Sequence, residues 1–546
     1  MKRITLTIAL ALTVIAVQAQ TIYDALLFSE KNYEGTARSV AMGNAFTALG
    51  GDLGSIVLNP AGSAVAGYSQ FSITPSLSFT TNTTQGVLPP DSDGTLSYFE
   101  KKYRNTATGF SIPNFGVTFN YETGRKSGLK NVTFGFIASQ TNDWNEDIYA
   151  AGTNKETSFM GAMAYGATVD GMYGSDLNRN SAYDNYPWNY VVGYQSGMIS
   201  TYGGYDNEFV GASEVIFDND GHTEISLGGP IEQTYGRRIR GKKDDYLFNL
   251  GFNISDFIYL GANLGITSMS YSNDYYFKEA AIDPANFEIS LDNGSTLYFD
   301  QMKYKYSYNV ESTGVYGKLG IIITPGFGLR FGAAIQTPTA STITESWQEK
   351  GSTSYTDNSY DAAADSPIGD DSYSFSEPWR ANFGIAYTLG KVAALSVDYE
   401  MCDFSSMKFK RSILDDGRDY FNGLNSDIRH TFGTSHMLRA GVEVKPMDRL
   451  ALRAGYNIIT SPEKNDINGN RIDVPANQNV SFGFGFNSRK SFFADIACRY
   501  AFTTEEYFMP YSDYMFDAND NIIAYVPEIL NRKDAWKVLL TLGWRF

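Results

Sequence analysis

The chain offers few groups for catalysis. Its only histidines, His222, His430 and His436, fall on segments that read as loops or strand rims, and no Gly-x-Ser-x-Gly elbow occurs. A hydrolase needs a nucleophile, a base and an orienting group held together; the feature that would betray one here is a Ser beside His436 with an acid behind it. Haem binding asks for an exposed His or Tyr as axial ligand, a role more open to the many loop tyrosines than to three scattered histidines. Asp218-Asn-Asp-Gly221 and Asp466-Ile-Asn-Gly-Asn470 are rich in oxygen donors, but neither is followed by the spaced Glu of a calcium loop, so both read as hairpin turns. The expectation is a protein that is not an enzyme and holds no metal or cofactor.

Four arginines have more to offer. Arg330, Arg380, Arg439 and Arg453 lie in segments of alternating polarity, as do the acids Asp398, Glu400, Glu443 and Asp495. If these side chains share an inner wall, the guanidinium groups suit the carboxylate of an amphipathic ligand, held by charge-assisted hydrogen bonds. The competing reading is an ion network in which the arginines balance those acids and hold the wall together.

The elements that must position them are β-strands, and the last dozen residues, Ala535 to Phe546, set the pattern. Trp536, Val538, Leu540, Leu542, Trp544 and Phe546 fall on one side of an extended strand, and Lys537, Thr541, Gly543 and Arg545 on the other. One face is made for lipid. Such a strand runs roughly 33 Å and, tilted near 40°, covers about the 25 Å apolar height of an outer-membrane barrel. Similar alternation recurs at 68–82, 107–121, 131–140, 244–254, 258–274, 303–323, 328–337, 379–389, 394–402, 436–446, 450–458, 478–487, 491–502 and 535–546. About fourteen antiparallel strands are therefore expected, with short periplasmic turns alternating with long polar extracellular loops. Leu438, Ala440, Val442 and Val444 are expected outside, and Arg439, Gly441, Glu443 and Lys445 inside; charge on the lipid side would cost about 2–4 kcal/mol per Arg near the midplane.

Composition and ends agree. Lys2-Arg3, the apolar run Ile4 to Val17 and Val17-Gln18-Ala19 read as a signal peptide over 1–19. No later stretch approaches the ~18 consecutive apolar residues of a membrane helix, so a closed barrel is the structure left to a membrane protein. The 52 Gly, 38 Tyr and 36 Phe, with a mean hydropathy of -0.26, fit strands apolar on one face only. A net charge of -17, falling to -19 when Lys2 and Arg3 leave, argues against nucleic acid as a partner. The spacing of Cys402 and Cys498 does not establish a disulfide. Residues 20–67 are not strand-like, and their small residues allow the close packing of a plug. Residues 141–243, rich in Tyr, Gly and Asn, form the largest expected extracellular loop, and loops of that length are functional or disordered.

Gly35-Thr-Ala-Arg-Ser-Val-Ala-Met-Gly-Asn-Ala-Phe-Thr-Ala-Leu-Gly-Gly-Asp52, leading to Asn59-Pro60-Ala61-Gly62, resembles the N-terminal hatch of the FadL/TodX/OMPP1 family of outer-membrane transporters for hydrophobic compounds. Ile335-Gln-Thr-Pro338, Leu450 to Tyr456 with Ser461-Pro462, and the terminal Phe546 carry the resemblance down the chain. It implies a fourteen-strand barrel over 68–546 in the outer membrane of a Gram-negative bacterium, with a hatch over 20–67. It also implies an assembly machinery that reads the final strand, and passive uptake of hydrophobic or amphipathic molecules such as long-chain fatty acids. The exit it implies is sideways, through a gap at a kinked third strand, which Gly135 would permit. The alternative is a FadL-like barrel that docks proteins or serves a secretion system. An apolar lumen favours transport; a polar, blocked lumen beneath a rigid loop surface favours docking.

Overall fold

The computed structural model describes residues 20–87, 99–219, 222–291, 294–412, 420–464, 475–488, 491–516 and 522–546. The expected signal peptide, the Asp466–Asn470 turn and part of the Asp218–Gly221 turn lie outside them. Fourteen antiparallel strands close on themselves: β1 Gln70–Val87, β2 Tyr103–Glu122, β3 Leu129–Asn154, β4 Ile231–Ile254, β5 Ile258–Ala281, β6 Thr296–Gly326, β7 Leu329–Gln336 continued by Ala340–Tyr355, β8 Gly369–Ser376 continued by Arg380–Leu389, β9 Ala393–Asp403 continued by Lys408–Lys410, β10 Thr434–Met447, β11 Leu450–Thr460, β12 Pro475–Asn487, β13 Phe492–Phe508 and β14 Glu528–Arg545. The ring is sealed by β14 against β1, from Gln70 opposite Arg545 to Val87 opposite Glu528.

All fourteen expected strands are present. Many run further at the end opposite the C-terminus than their alternation indicates: β3 reaches Asn154 and β4 starts at Ile231, so the segment joining them is 155–230 rather than 141–243. The outside carries an apolar band, with Phe134, Phe248, Leu264, Leu319, Leu438, Leu452 and Trp536 all exposed. So much outward apolar surface is unstable in water and suits lipid, where strands closed into a ring pair their backbone groups with one another. Among the described residues no helix is long and apolar enough to cross a membrane. Inside, Asp398, Glu400, Arg439, Glu443 and Arg453 are buried, as the alternation requires. Both cysteines are free.

Residues 20–67 occupy the lumen. A capping box of Thr21 and Asp24 starts α1 (Ile22–Ser29); Thr36 caps α2 (Ala37–Ala41), and Asp52 caps a 3-10 turn at Leu53–Val57 before α3 (Gly62–Val65). These pieces are too short to hold themselves. Their apolar residues, Met42, Phe46, Leu53 and Ile56 among them, pack on wall residues Ile137, Leu247 and Tyr316. At the end of the barrel opposite the C-terminus, the described residues between β3 and β4 fold into α4 (Phe159–Val169), α5 (Gly174–Leu177), α6 (Ala182–Asn185), α7 (Trp188–Gln195) and two small hairpins; they form a cap.

Candidate functional site

Three features make up the site: the seat of the plug, a discontinuity in the wall and a cavity in the cap. The plug is seated by Asn59-Pro60-Ala61. The Asn59 amide donates to Thr47 O at 2.8 Å and to Ile321 O of β6 at 3.0 Å, while its Oδ1 accepts from Ala61 N at 3.1 Å. Pro60 O accepts from Asn249 of β4 at 3.0 Å. Two wall glycines make room. A Cβ on Gly320 would stand 2.0 Å from Asn59 Oδ1, and one on Gly261 would stand 2.3 Å from Ala61 N.

Charge holds the plug elsewhere. Arg38 reaches Glu443 of β10 at 2.9 Å, Lys31 reaches Asp245 of β4 at 2.9 Å, and Glu34 accepts from Arg499 at 2.6 Å and Lys537 at 3.1 Å. Burial pushes the Glu34 carboxyl up, but the Arg499 and Lys537 charges outweigh it and hold it below its ordinary value. The four sequence-selected arginines lie in this layer. Arg380 binds Glu400 at 3.0 Å and also Ser29 O of the plug, and Arg439 binds the other oxygen of Glu400. Arg453 joins Glu443 at 2.6 Å to Asp495 at 2.5 Å, and Arg330 donates to Leu49 O of the plug at 2.7 Å. Lys318, which the sequence reading did not single out, is fully buried and donates to Val57 O at 2.8 Å.

The wall is interrupted between β2 and β3. Their ladder runs from Glu122 opposite Asn131 up to Asn114 opposite Ser139 and stops there. Gly135 sits within the continuous part, between Thr118 and Asn249; the departure is higher, where the register of β3 against β4 shifts between Gln140 and Asn142. Pro113, which has no N–H to donate, stands at the break. Above it β3 swings inward. Asn82 and Thr84, on the inner face of β1, donate to Asp147 O and Tyr149 O, and Lys537 of β14 binds Asp143 at 2.9 Å. The β3 carbonyls just past the break are taken by the plug: Asn32 N donates to Thr141 O at 2.7 Å and Glu34 N to Gln140 O at 3.1 Å. A Pro inside an alternating segment was the available sign of this free edge.

The cap holds a cavity of about 250 Å³ beside α4, walled by Phe159, Tyr190, Tyr304 and Tyr511, with Asp170 and Asp513 in its lining. The floor is fixed by buried polar contacts. Glu279 of β5 accepts from Phe159 N at 2.7 Å and Ser158 Oγ at 2.6 Å, capping α4, and Ser213 Oγ bonds Ser158 Oγ at 2.7 Å. Glu214 accepts from Gly211 N at 2.8 Å, and burial pushes its carboxyl up to about 7. The Tyr190 hydroxyl donates to Asp170 at 2.7 Å; burial first and this bond second hold the phenol well above its ordinary value. Nothing in the sequence pointed to these residues except the length of the loop and the small, Met-rich run that becomes α4.

The sequence matches no protein-family model and no curated protein. Solved structures do match. The toluene transporter TodX of P. putida superposes with a TM-score of 0.52 at 11% identity over 94% of this chain and 99% of its own. A Pseudomonas aeruginosa FadL homologue gives 0.48 at 13%, over 94% and 98%, and the Ralstonia pickettii toluene transporter TbuX gives 0.44 at 13%, over 94% and 99%. At these identities the likeness is one of fold, and it rests on the first: the chain has the fold of TodX.

Proposed function

We propose that this chain is an outer-membrane transporter of the FadL type that admits hydrophobic or amphipathic small molecules passively. The observation that carries the reading is the coincidence of wall break and plug. Where the β2–β3 ladder stops, plug backbone fills the vacated hydrogen-bonding edge of β3. Movement of residues 32–34 would free that edge and open a passage between β2 and β3, and a sideways exit suits molecules that prefer lipid to water. Capture falls to the aromatic cavity in the cap. The arginines, each engaged with an acid or with the plug, are assigned to holding the plug rather than to binding ligand. No group for energy coupling is invoked.

The fold is of the same kind as that of TodX, described as a toluene transporter, which supports small hydrophobes as the cargo class. The test is a covalent bridge across the break. Ser111 Oγ donates to Gln140 Oε1 at 3.1 Å, so cysteines at these two positions, in a protein whose Cys402 and Cys498 are replaced by Ser, lie within reach of a short, reducible bis-thiol crosslinker. Uptake of a hydrophobic probe into proteoliposomes should fall when the bridge forms and return on reduction. Unchanged uptake in the bridged form would refute the sideways exit.

A second reading, a barrel that docks proteins, is favoured by one observation: beside its apolar contacts the lumen at plug level carries a layer of buried ion pairs. Co-purification of a stoichiometric protein partner on the cap, with no probe uptake, would favour it.

A further inference from the structure

We infer that, in the outer-membrane setting proposed above, a lysine patch on the outside of the barrel wall binds the acidic sugar head of a glycolipid in the surrounding outer leaflet. Alternation places the patch. Met302 and Tyr304 of β6 and Phe277 and Glu279 of β5 are buried inside, so Lys303, Lys305, Tyr276 and Lys278 point outward. Lys303 stands directly opposite Lys278, and Lys305 stands between Tyr276 of β5 and Lys350 of β7. Like charges opposed across a ladder repel, and a chain of net charge -17 has acids enough to separate them. Neighbouring cations do have acids: Lys350 meets Asp365 at 2.6 Å, Arg240 meets Asp147 at 2.8 Å, and Lys242 meets Asp244 at 3.0 Å. Among the described residues, Lys278, Lys303 and Lys305 form no ion pair.

Tyr276 explains how two of the ammonium groups share one spot. Its ring lies against Gly236 of β4, where a Cβ would come within 2.4 Å of it. Lys303 and Lys278 sit 5.3 Å and 5.8 Å from the ring centre, so one aromatic group attracts both charges. Height selects the occupant. Val315 is the last exposed large apolar side chain on the outer face of β6 below the patch. From Val315 to Lys305 the strand rises roughly 33 Å, or about 25 Å along the membrane normal at a tilt near 40°. A phospholipid headgroup reaches only about 5–8 Å beyond the hydrocarbon, well short of the lysines. A glycolipid whose sugars carry phosphate or carboxylate groups spans that gap and brings oxyanions to the three unpaired ammonium groups, as charge-assisted hydrogen bonding requires. A neutral sugar would leave the repulsion between Lys278 and Lys303 standing.

The experiment follows lipid binding to the detergent-solubilised full-length protein by native mass spectrometry, with three probes of increasing head length: phosphatidylglycerol, lipid A, and a rough lipopolysaccharide that adds phosphorylated core sugars to the same lipid A. The expected result is a discrete lipopolysaccharide adduct with a dissociation constant at least tenfold lower than that of lipid A, and loss of this advantage in Lys278→Gln/Lys303→Gln/Lys305→Gln. The advantage should also shrink as salt is raised, because exposed charges are screened beyond about 10 Å at 0.1 M. Equal binding of lipid A and lipopolysaccharide by the unaltered protein, or no adduct with any probe, overturns the assignment. A folded triple variant that keeps the full advantage overturns it too. Failure of the unaltered protein to insert into lipid vesicles is a separate result, and it overturns the membrane setting itself. Because the comparison among lipids is made on the unaltered protein, it stands even if the triple variant folds poorly.

Discussion

Replacing Asn59 by Ala removes one side chain on which the plug depends from both sides. The amide of Asn59 bridges the plug carbonyl of Thr47 and the wall carbonyl of Ile321, and its oxygen takes the N–H of Ala61. Ile321 also lies in the ladder between Leu260 and Ala333, so its carbonyl is the least exposed to loss. Thr47 O and Ala61 N become the bare groups. A buried polar group left without a partner costs about 1–3 kcal/mol, so the two together cost about 2–6 kcal/mol. At 1.4 kcal/mol per factor of ten, even the lower figure raises the population of a loosened plug roughly thirtyfold. Hydrogen-exchange mass spectrometry should show peptides covering residues 37–65 exchanging at least thirtyfold faster, while peptides from β9 to β12 are unchanged. The same variant should admit small ions in planar bilayers where the parent is closed. Unchanged exchange in those plug peptides would mean that Asn59 does not clamp the plug, and the reasoning from its three bonds would be wrong.

Other outcomes follow from the buried charges. Glu400→Gln leaves the Arg380 and Arg439 guanidinium groups facing a neutral amide, and breaking a buried pair in this way costs about 3–5 kcal/mol; the temperature at which the barrel loses its heat-modifiable gel mobility should fall, whereas a joint Glu400→Met/Arg439→Met change should lower it less. The two ends of the molecule should answer acid in opposite senses. Glu214, raised by burial above its unfolded value, contributes stability that is present at low pH and is lost as pH rises to about 7. Glu34, lowered by its cations, contributes stability present above the ordinary carboxylate range and lost as pH falls below it. Limited proteolysis of the 155–230 segment should therefore be slower at pH 5 than at pH 8, a difference that Glu214→Gln removes, while plug peptides should exchange faster below pH 4.

The barrel was legible in the sequence where lipid enforces alternation. Leu438 to Lys445 and Leu395 to Glu400 sort cleanly because an inward acid and an outward leucine have no alternative. Above the apolar band both faces are wet or covered by the cap, and the pattern fades: Ala340–Tyr355 continues β7 past Thr337-Pro338, yet its sequence is mostly Ser, Thr and Glu. Proline there reads as an end and is in fact only a pause in one strand. The arginines were legible as inward groups, but their partners were not. Whether Arg439 meets Glu400 or a ligand depends on cross-strand register, which alternation alone leaves open by two residues at a time. The cap cavity was least legible of all, since its rings come from α4, α7, β6 and the segment after β13, four places joined only by folding.

The plug and the strand that seals the ring are bonded to each other. Ala37 N donates to Thr541 Oγ1 of β14 at 2.7 Å across 504 residues of chain, and Glu34 binds Lys537 of the same strand. Contacts of such sequence separation are the slowest to form. Synthesis makes the plug first and β14 last, so the closing seam is also the seam that grips the plug. Sealing the ring therefore also completes the grip on the plug: a truncated chain lacking β14 cannot close, and it loses the Thr541 and Lys537 contacts that add to those made by β4, β6 and β10.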